Sequence, residues 1–269
     1  KTSFFDRMHL TMEENGRAGN QQHLTMPYGD ATLIVRSGVE QLITPREAYV
    51  QSAQKERFLP EPSVVRRGGG RTFNKSHFGL GPKRVAAFHK YLTHLPEAVE
   101  DVDLTDNRLD DEAMAGVLRC LKNNKNIKRL KLSKNEIKMK AATALAALLM
   151  SKHSTIVDLD ISGCQINAKA ISVICEAISK RGNKNTIEKL NLSDNKIRGK
   201  LHAKTEKKQV GRIVKDEPVT GPLSELINML KTKKCTITEL SLSGNPLGDG
   251  GGVSLAKGLK SNNSLTSLD

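Results

Sequence analysis

The 269-residue sequence predicts an α/β solenoid, wound right-handed, with a parallel sheet on its concave side and helices on its convex side. Three observations predict it. A phrase with apolar residues at fixed positions recurs five times between Val99 and Leu247. Each phrase is followed by a stretch whose apolar residues share one helical face. Aromatics are scarce (six Phe, three Tyr, no Trp), so the expected core is aliphatic, as suits small stacked units rather than one large globular centre.

The phrase begins at Val99, Ile127, Ile156, Ile187 and Ile237, and a sixth copy opens at Leu265. Its second copy, I-K-R-L-K-L-S-K-N-E-I at 127–137, shows the pattern. Leu130 and Leu132 alternate with Arg129, Lys131 and Ser133, which predicts a short strand with leucines inward and polar residues on the open face. Asn107, Asn135, Asn195 and Asn245 stand where the chain leaves the strand, and Cys164 takes that slot in the third copy. An amide there can bond backbone groups of adjacent turns and form a buried ladder.

The pattern L-x-x-L-x-L-x-x-N/C-x-L resembles the leucine-rich repeat. The spacing of 28 to 29 residues, with a full helix in each unit, resembles its ribonuclease-inhibitor-like class. The segment from Tyr49 through Pro60, Val64 and Phe73 to Gly81 is similar to the entry segment of such proteins from cilia and protist cytoskeletons. That resemblance implies an N-terminal cap, a cytoplasmic place in a cilium or other cytoskeletal structure, and partners among acidic protein surfaces, tubulin or axonemal proteins included.

In chain order, residues 1–43 read as an extended polar arm with short apolar groups at 31–35 and 42–43. Such a stretch must lie on its own solenoid or on a partner, and a partner is favoured, because alone it buries too little to offset its ordering entropy. Thr44-Pro45-Arg46-Glu47 is a helix start with a capping box, and the helix should run to about Arg57. Residues 44–98 are expected to form this cap helix and a degenerate repeat, in which Phe73 and Phe78 stand five apart like Leu104 and Leu109. The repeats proper span 99–269. Their helical faces are Met114, Val117, Leu118 and Leu121, then Ala141, Leu145 and Leu148, then Ile171, Ile174 and Ile178, then Leu223, Leu226 and Leu230, then Leu255 and Leu259. Asp110 or Asp111 can cap the first helix and Pro222 can open the fourth. The chain stops inside its last repeat, so it is expected to be a piece of a longer protein.

The spacing from Ile187 to Ile237 exceeds its neighbours by about 21 residues, carried within 199–221. Insertions at such a point become loops on one face of a solenoid. This one holds Lys200, Lys204, Lys207, Lys208, Arg212 and Lys215, and residues 198–235 contribute +6 of the net charge of +14. It is either a solvated loop or a contact for an acidic surface. The lack of interleaved aromatics favours protein over nucleic acid.

The outward strand positions alternate in sign from rung to rung: Asp101 and Asp103, Arg129 and Lys131, Asp158 and Asp160, then Lys189 and Asn191, then Glu239. Either these charges neutralise one another across the strands, or Arg129, Lys131, Asp158 and Asp160 form a docking face for a polar partner.

Catalytic, metal and cofactor constellations are absent from the sequence. The seven histidines form no H-E-x-x-H or His/Cys cluster and read as surface residues. Cys120, Cys164, Cys175 and Cys235 form no C-x-x-C pair and read as reduced core thiols. No run is long and apolar enough to span a membrane. The expected function is therefore a non-catalytic interaction scaffold, part of a large complex such as an axoneme. The alternative is a regulatory module such as an activator of a small GTPase. RNA or ribosome binding would rest on net charge alone.

Overall fold

The computed structural model describes residues 32–36, 39–61, 64, 70–198 and 223–269. Strands β1 (Thr32–Arg36) and β2 (Val39–Ile43) pair antiparallel, Thr32 opposite Ile43, apart from the main sheet. Helix α1 (Pro45–Lys55) follows, with the anticipated capping box: Thr44 N–H donates to Glu47 Oε2 at 2.7 Å and Glu47 N–H to Thr44 Oγ1 at 3.3 Å.

The solenoid starts at β3 (Thr72–Asn74) and α2 (Gly81–Thr93). Its further rungs are β4 (Asp101–Asp103) with α3 (Asp111–Leu121), β5 (Arg129–Lys131) with α4 (Met139–Leu149), and β6 (Asp158–Asp160) with α5 (Ala168–Arg181). Then come β7 (Lys189–Asn191) with α6 (Ser224–Lys231), β8 (Glu239–Ser241) with α7 (Gly248–Leu259), and β9 (Ser267–Leu268). Strands β3 to β9 form one parallel sheet in chain order, each helix crossing over to the next strand.

Val102, Leu130, Leu159, Leu190 and Leu240 stand in register at the centre of consecutive strands and are all buried. They meet the helical faces read from the sequence, including Met114, Leu118, Leu145, Ile171, Ile174 and Leu226. Each fully buried leucine of this kind contributes roughly 1.5–3 kcal/mol. The aliphatic expectation holds for these rungs. It fails at the N-terminal end, where Tyr49 and Phe88 rings lie 4.5 Å apart and Phe73 and Tyr91 rings 5.5 Å apart, closing the first rung.

The degenerate rung runs in a different frame from the one its phenylalanines suggest. Phe73 pairs with Val102. Phe78 consequently stands 29 residues before Asn107, in the asparagine slot, and is 45% exposed, while Leu80 fills the buried place of Leu109. Lys75 occupies the inward leucine place. It is buried, its Nζ lying 3.5 Å from Glu61 Oε1 and 4.8 Å from the Phe78 ring centroid, so an ion pair and a cation–π contact replace apolar packing.

Two hydrogen-bond ladders bind rung to rung. The asparagine ladder is as anticipated. Asn195 Nδ2 donates to Ile161 O at 3.0 Å and Leu192 O at 2.9 Å, while its Oδ1 accepts from the N–H groups of Cys164 and Ile166. Cys164 substitutes partially, its Sγ–H donating to Leu132 O at 3.3 Å, and burial pushes its thiol up to about 12. Before each slot the chain takes a positive φ, at Asp106, Lys134, Gly163, Asp194 and Gly244. Gly244 is needed there for a second reason: a Cβ would come within 2.1 Å of Asp194 Oδ1.

The second ladder escaped the sequence reading. Thr155, Thr186 and Thr236 each donate a hydroxyl to the preceding rung, to Ile127 O, Ile156 O and Ile187 O, at 2.9, 2.7 and 2.6 Å. Its signal, Thr-Ile one residue ahead of the strand in three rungs, is present in the sequence.

Candidate protein-interaction surface

The short strands leave their outward side chains in two columns, since β4 to β8 pair residue by residue. The first runs Asp101, Arg129, Asp158, Lys189 and Glu239, and the second Asp103, Lys131, Asp160, Asn191 and Ser241. The structure therefore brings Arg129, Lys131, Asp158 and Asp160 together on adjacent strands. The basic residues Lys200, Lys204, Lys207, Lys208, Arg212 and Lys215 lie outside the described residues, as does Pro222.

Self-neutralisation is real at both ends of the first column. Arg129 Nη2 reaches Asp101 Oδ2 at 2.5 Å, and Lys189 Nζ reaches Glu239 Oε1 at 2.6 Å. Asp101 and its neighbour raise the Arg129 guanidinium above its usual range, the Asp101 hydrogen bond being the main cause. Such exposed pairs are worth little stability, typically under about 1 kcal/mol.

The middle of the face is different. Among the described residues, no ion pair within 4.0 Å reaches Lys131, Asp158 or Asp160. Asp160 Oδ1 is turned back to its own strand, accepting from the Ser162 N–H at 3.0 Å and hydroxyl at 2.7 Å, as Asp103 Oδ1 accepts from Thr105 N–H. Asp158 sits partly buried, and that burial raises its pKa against the opposing pull of Lys131, Lys189 and Arg129. Lys131 and the partly desolvated Asp158 thus stand on adjacent strands of the face without a closed ion pair.

His89, read from the sequence as a surface residue, is half-buried between α2 and α3 against Gly116, whose added Cβ would lie 2.9 Å from the ring. Burial, with Arg119 nearby, lowers its pKa. Cys175 is fully enclosed and its thiol is raised by burial. Among the described residues, no group of three or more His, Cys, Asp or Glu side chains could hold a metal ion, and no helix is long and apolar enough to cross a membrane.

Residues 123–146, 152–175, 183–200 and 233–256 match the family model for the leucine-rich repeat. The chain is also similar to Protein CARMIL of Dictyostelium discoideum, 32% identical over 155 residues. The match covers 52% of this chain and 14% of that protein, so the chain spans a small part of the length of this relative.

Proposed function

This chain is a leucine-rich-repeat protein, and we propose that it acts as a non-catalytic scaffold that docks a polar protein partner within a large cytoskeletal assembly. Repeats of this kind are protein–protein interaction modules, and their rigidity suits the task. The observation that carries the proposal is the centre of the strand face: among the described residues Lys131 and Asp158 have no ion pair within 4.0 Å, while Arg129 and Lys189 beside them have each closed one. Charged groups that have not closed an ion pair favour complementary binding and penalise wrong partners.

The basic insertion adds a second contact in this proposal. Lys200, Lys204, Lys207, Lys208, Arg212 and Lys215 would meet an acidic surface, and a microtubule-based assembly such as an axoneme supplies one in tubulin. The resemblance of Tyr49–Gly81 to entry segments of ciliary and protist repeat proteins supports that choice.

The test is co-sedimentation of the chain with assembled microtubules at low and at physiological salt. Binding that weakens with salt, and weakens further in Lys131→Glu and in Lys200→Gln/Lys204→Gln/Lys207→Gln/Lys208→Gln, is the expected result. Equal recovery of all three proteins in the pellet would remove both contacts, and no pelleting at low salt would remove the microtubule assignment.

A further inference from the structure

The two edges of the solenoid differ sharply in charge. Six segments run from a helix end to the next strand: 94–100, 122–128, 150–157, 180–188, 231–238 and 260–266. Together they hold ten lysines and one arginine against three glutamates, Glu97, Glu100 and Glu188. The segments on the opposite edge, which run from strand to helix over 75–80, 104–111, 132–140, 161–169, 192–198 and 242–249, hold eight basic and six acidic residues. A helix C-terminus attracts some cations, but each offers only about half a negative charge. The helix ends along this edge cannot account for an excess of eight.

These segments form one continuous surface. Val157 N–H donates to Lys128 O at 2.8 Å, Thr155 Oγ1 to Lys125 O at 3.1 Å, Asn185 Nδ2 to Thr236 Oγ1 at 2.8 Å and Asn262 Nδ2 to Leu230 O at 2.7 Å. Two of the basic residues are committed nearby, Lys128 to Glu100 at 3.1 Å and Lys180 to Glu176 at 2.8 Å. Arg181 is committed to the carbonyls of Leu149 and Ser154. Lys122, Lys125, Lys152, Lys184, Lys233 and Lys234 are exposed, and among the described residues none has an ion pair within 4.0 Å.

We infer that this helix-to-strand edge binds an extended acidic polypeptide segment. Lysines recur on successive rungs, and neighbouring strands lie about 4.8 Å apart, so one extended chain laid along the edge meets several of these flexible side chains. Exposed Asn123 and Asn183 stand among the lysines and offer amide groups to a peptide backbone. Nucleic acid fits less well, because no aromatic stands in these segments to stack on a base. An anionic membrane fits less well too, because Ile127, Ile156, Ile187 and Ile237 are buried and Met150 is a single exposed apolar side chain rather than an insertable face. The surface shares no residue with the strand face or the insertion, so it stands or falls separately from them.

The test uses the chain as it is, with three probes: a labelled peptide of twelve alternating Glu and Ser residues, duplex DNA, and vesicles containing phosphatidylserine. Salt-sensitive binding of the peptide is expected, weakened about twenty-fold by combining K122Q, K125Q, K152Q, K184Q, K233Q and K234Q. The opposite-edge variant K134Q/K138Q/K196Q and the insertion variant K200Q/K204Q/K207Q/K208Q should bind within about two-fold of the parent chain. Unchanged melting would show that the six-site variant folds, as expected for exposed lysines. Tighter binding to DNA or to vesicles than to the peptide would overturn the partner class. Equal peptide binding by the six-site variant would overturn the site.

Discussion

The side-chain oxygen of Asn135 accepts the backbone N–H of Asn107 at 3.1 Å, one rung away. The same oxygen takes Leu109 N–H at 3.1 Å, and the Asn135 amide donates to Leu104 O and Leu132 O, both at 2.9 Å. One buried side chain therefore satisfies backbone groups in two rungs.

Replacing Asn135 with Ala is expected to cost about 3–5 kcal/mol, because several buried groups lose a partner at once and each costs roughly 1–3 kcal/mol when orphaned. Asn135→Cys should cost less, since Cys164 holds the equivalent place and its thiol still reaches a carbonyl. Urea unfolding of both variants decides the matter. A loss below about 1 kcal/mol for the alanine variant would show that the ladder is not a main support.

Asp111 should act on the helix beyond its own. Asp110 caps α3 through Ala113 N–H at 2.8 Å. Asp111 instead accepts Lys138 N–H at 2.8 Å, Ala141 N–H at 2.9 Å and Lys140 N–H at 3.1 Å, at the start of α4, whose own N-cap residue makes no side-chain bond. Asp111→Ala is expected to cost about 1–2 kcal/mol. Amide exchange should quicken at Lys140 and Ala141 rather than within α3. Exchange that quickens only near residue 111 would contradict the inter-rung cap.

Stability should fall with acid in a window set by His89. Burial and Arg119 hold its folded pKa below the ordinary histidine value, and its Nε2 is buried with no hydrogen-bond partner among the described residues. The unfolded chain, titrating near 6.5, therefore binds the proton more readily. The contribution is complete above about pH 6.5 and is lost as pH drops from there through the folded pKa. Urea midpoints at pH 7.5 and 5.5 should differ less in His89→Gln than in the parent chain. Equal slopes would mean that His89 is not the responsible group.

Much of this architecture is written locally. A period-2 alternation such as Leu130, Lys131 and Leu132 orients side chains whatever surrounds it, and a capping box such as Thr44 with Glu47 closes within four residues. That is why the repeat frame, the helix faces, the α1 start and the asparagine slot could all be read without coordinates. The shifted frame of the first rung could not. Phe73 and Phe78 match the spacing of leucines, and only pairing with Val102 shows that Lys75 takes the inward place.

The candidate surface divides the same way. The sequence by itself determined which charges face outward on the strands, because alternation along a strand and repetition between strands are local and periodic. Only the tertiary structure decided which of them are consumed. Arg129 lies between Asp101 and Asp158 in register, yet it closes on Asp101 alone. Asp160 is satisfied by its own strand, while Lys131 and Asp158 are left without an ion pair. Those choices depend on rotamers and on distances of an ångström or less, set by packing across rungs 28 to 31 residues apart. The basic edge has the same origin: its lysines are scattered through five linking segments, and only the winding of the chain lays them on one side.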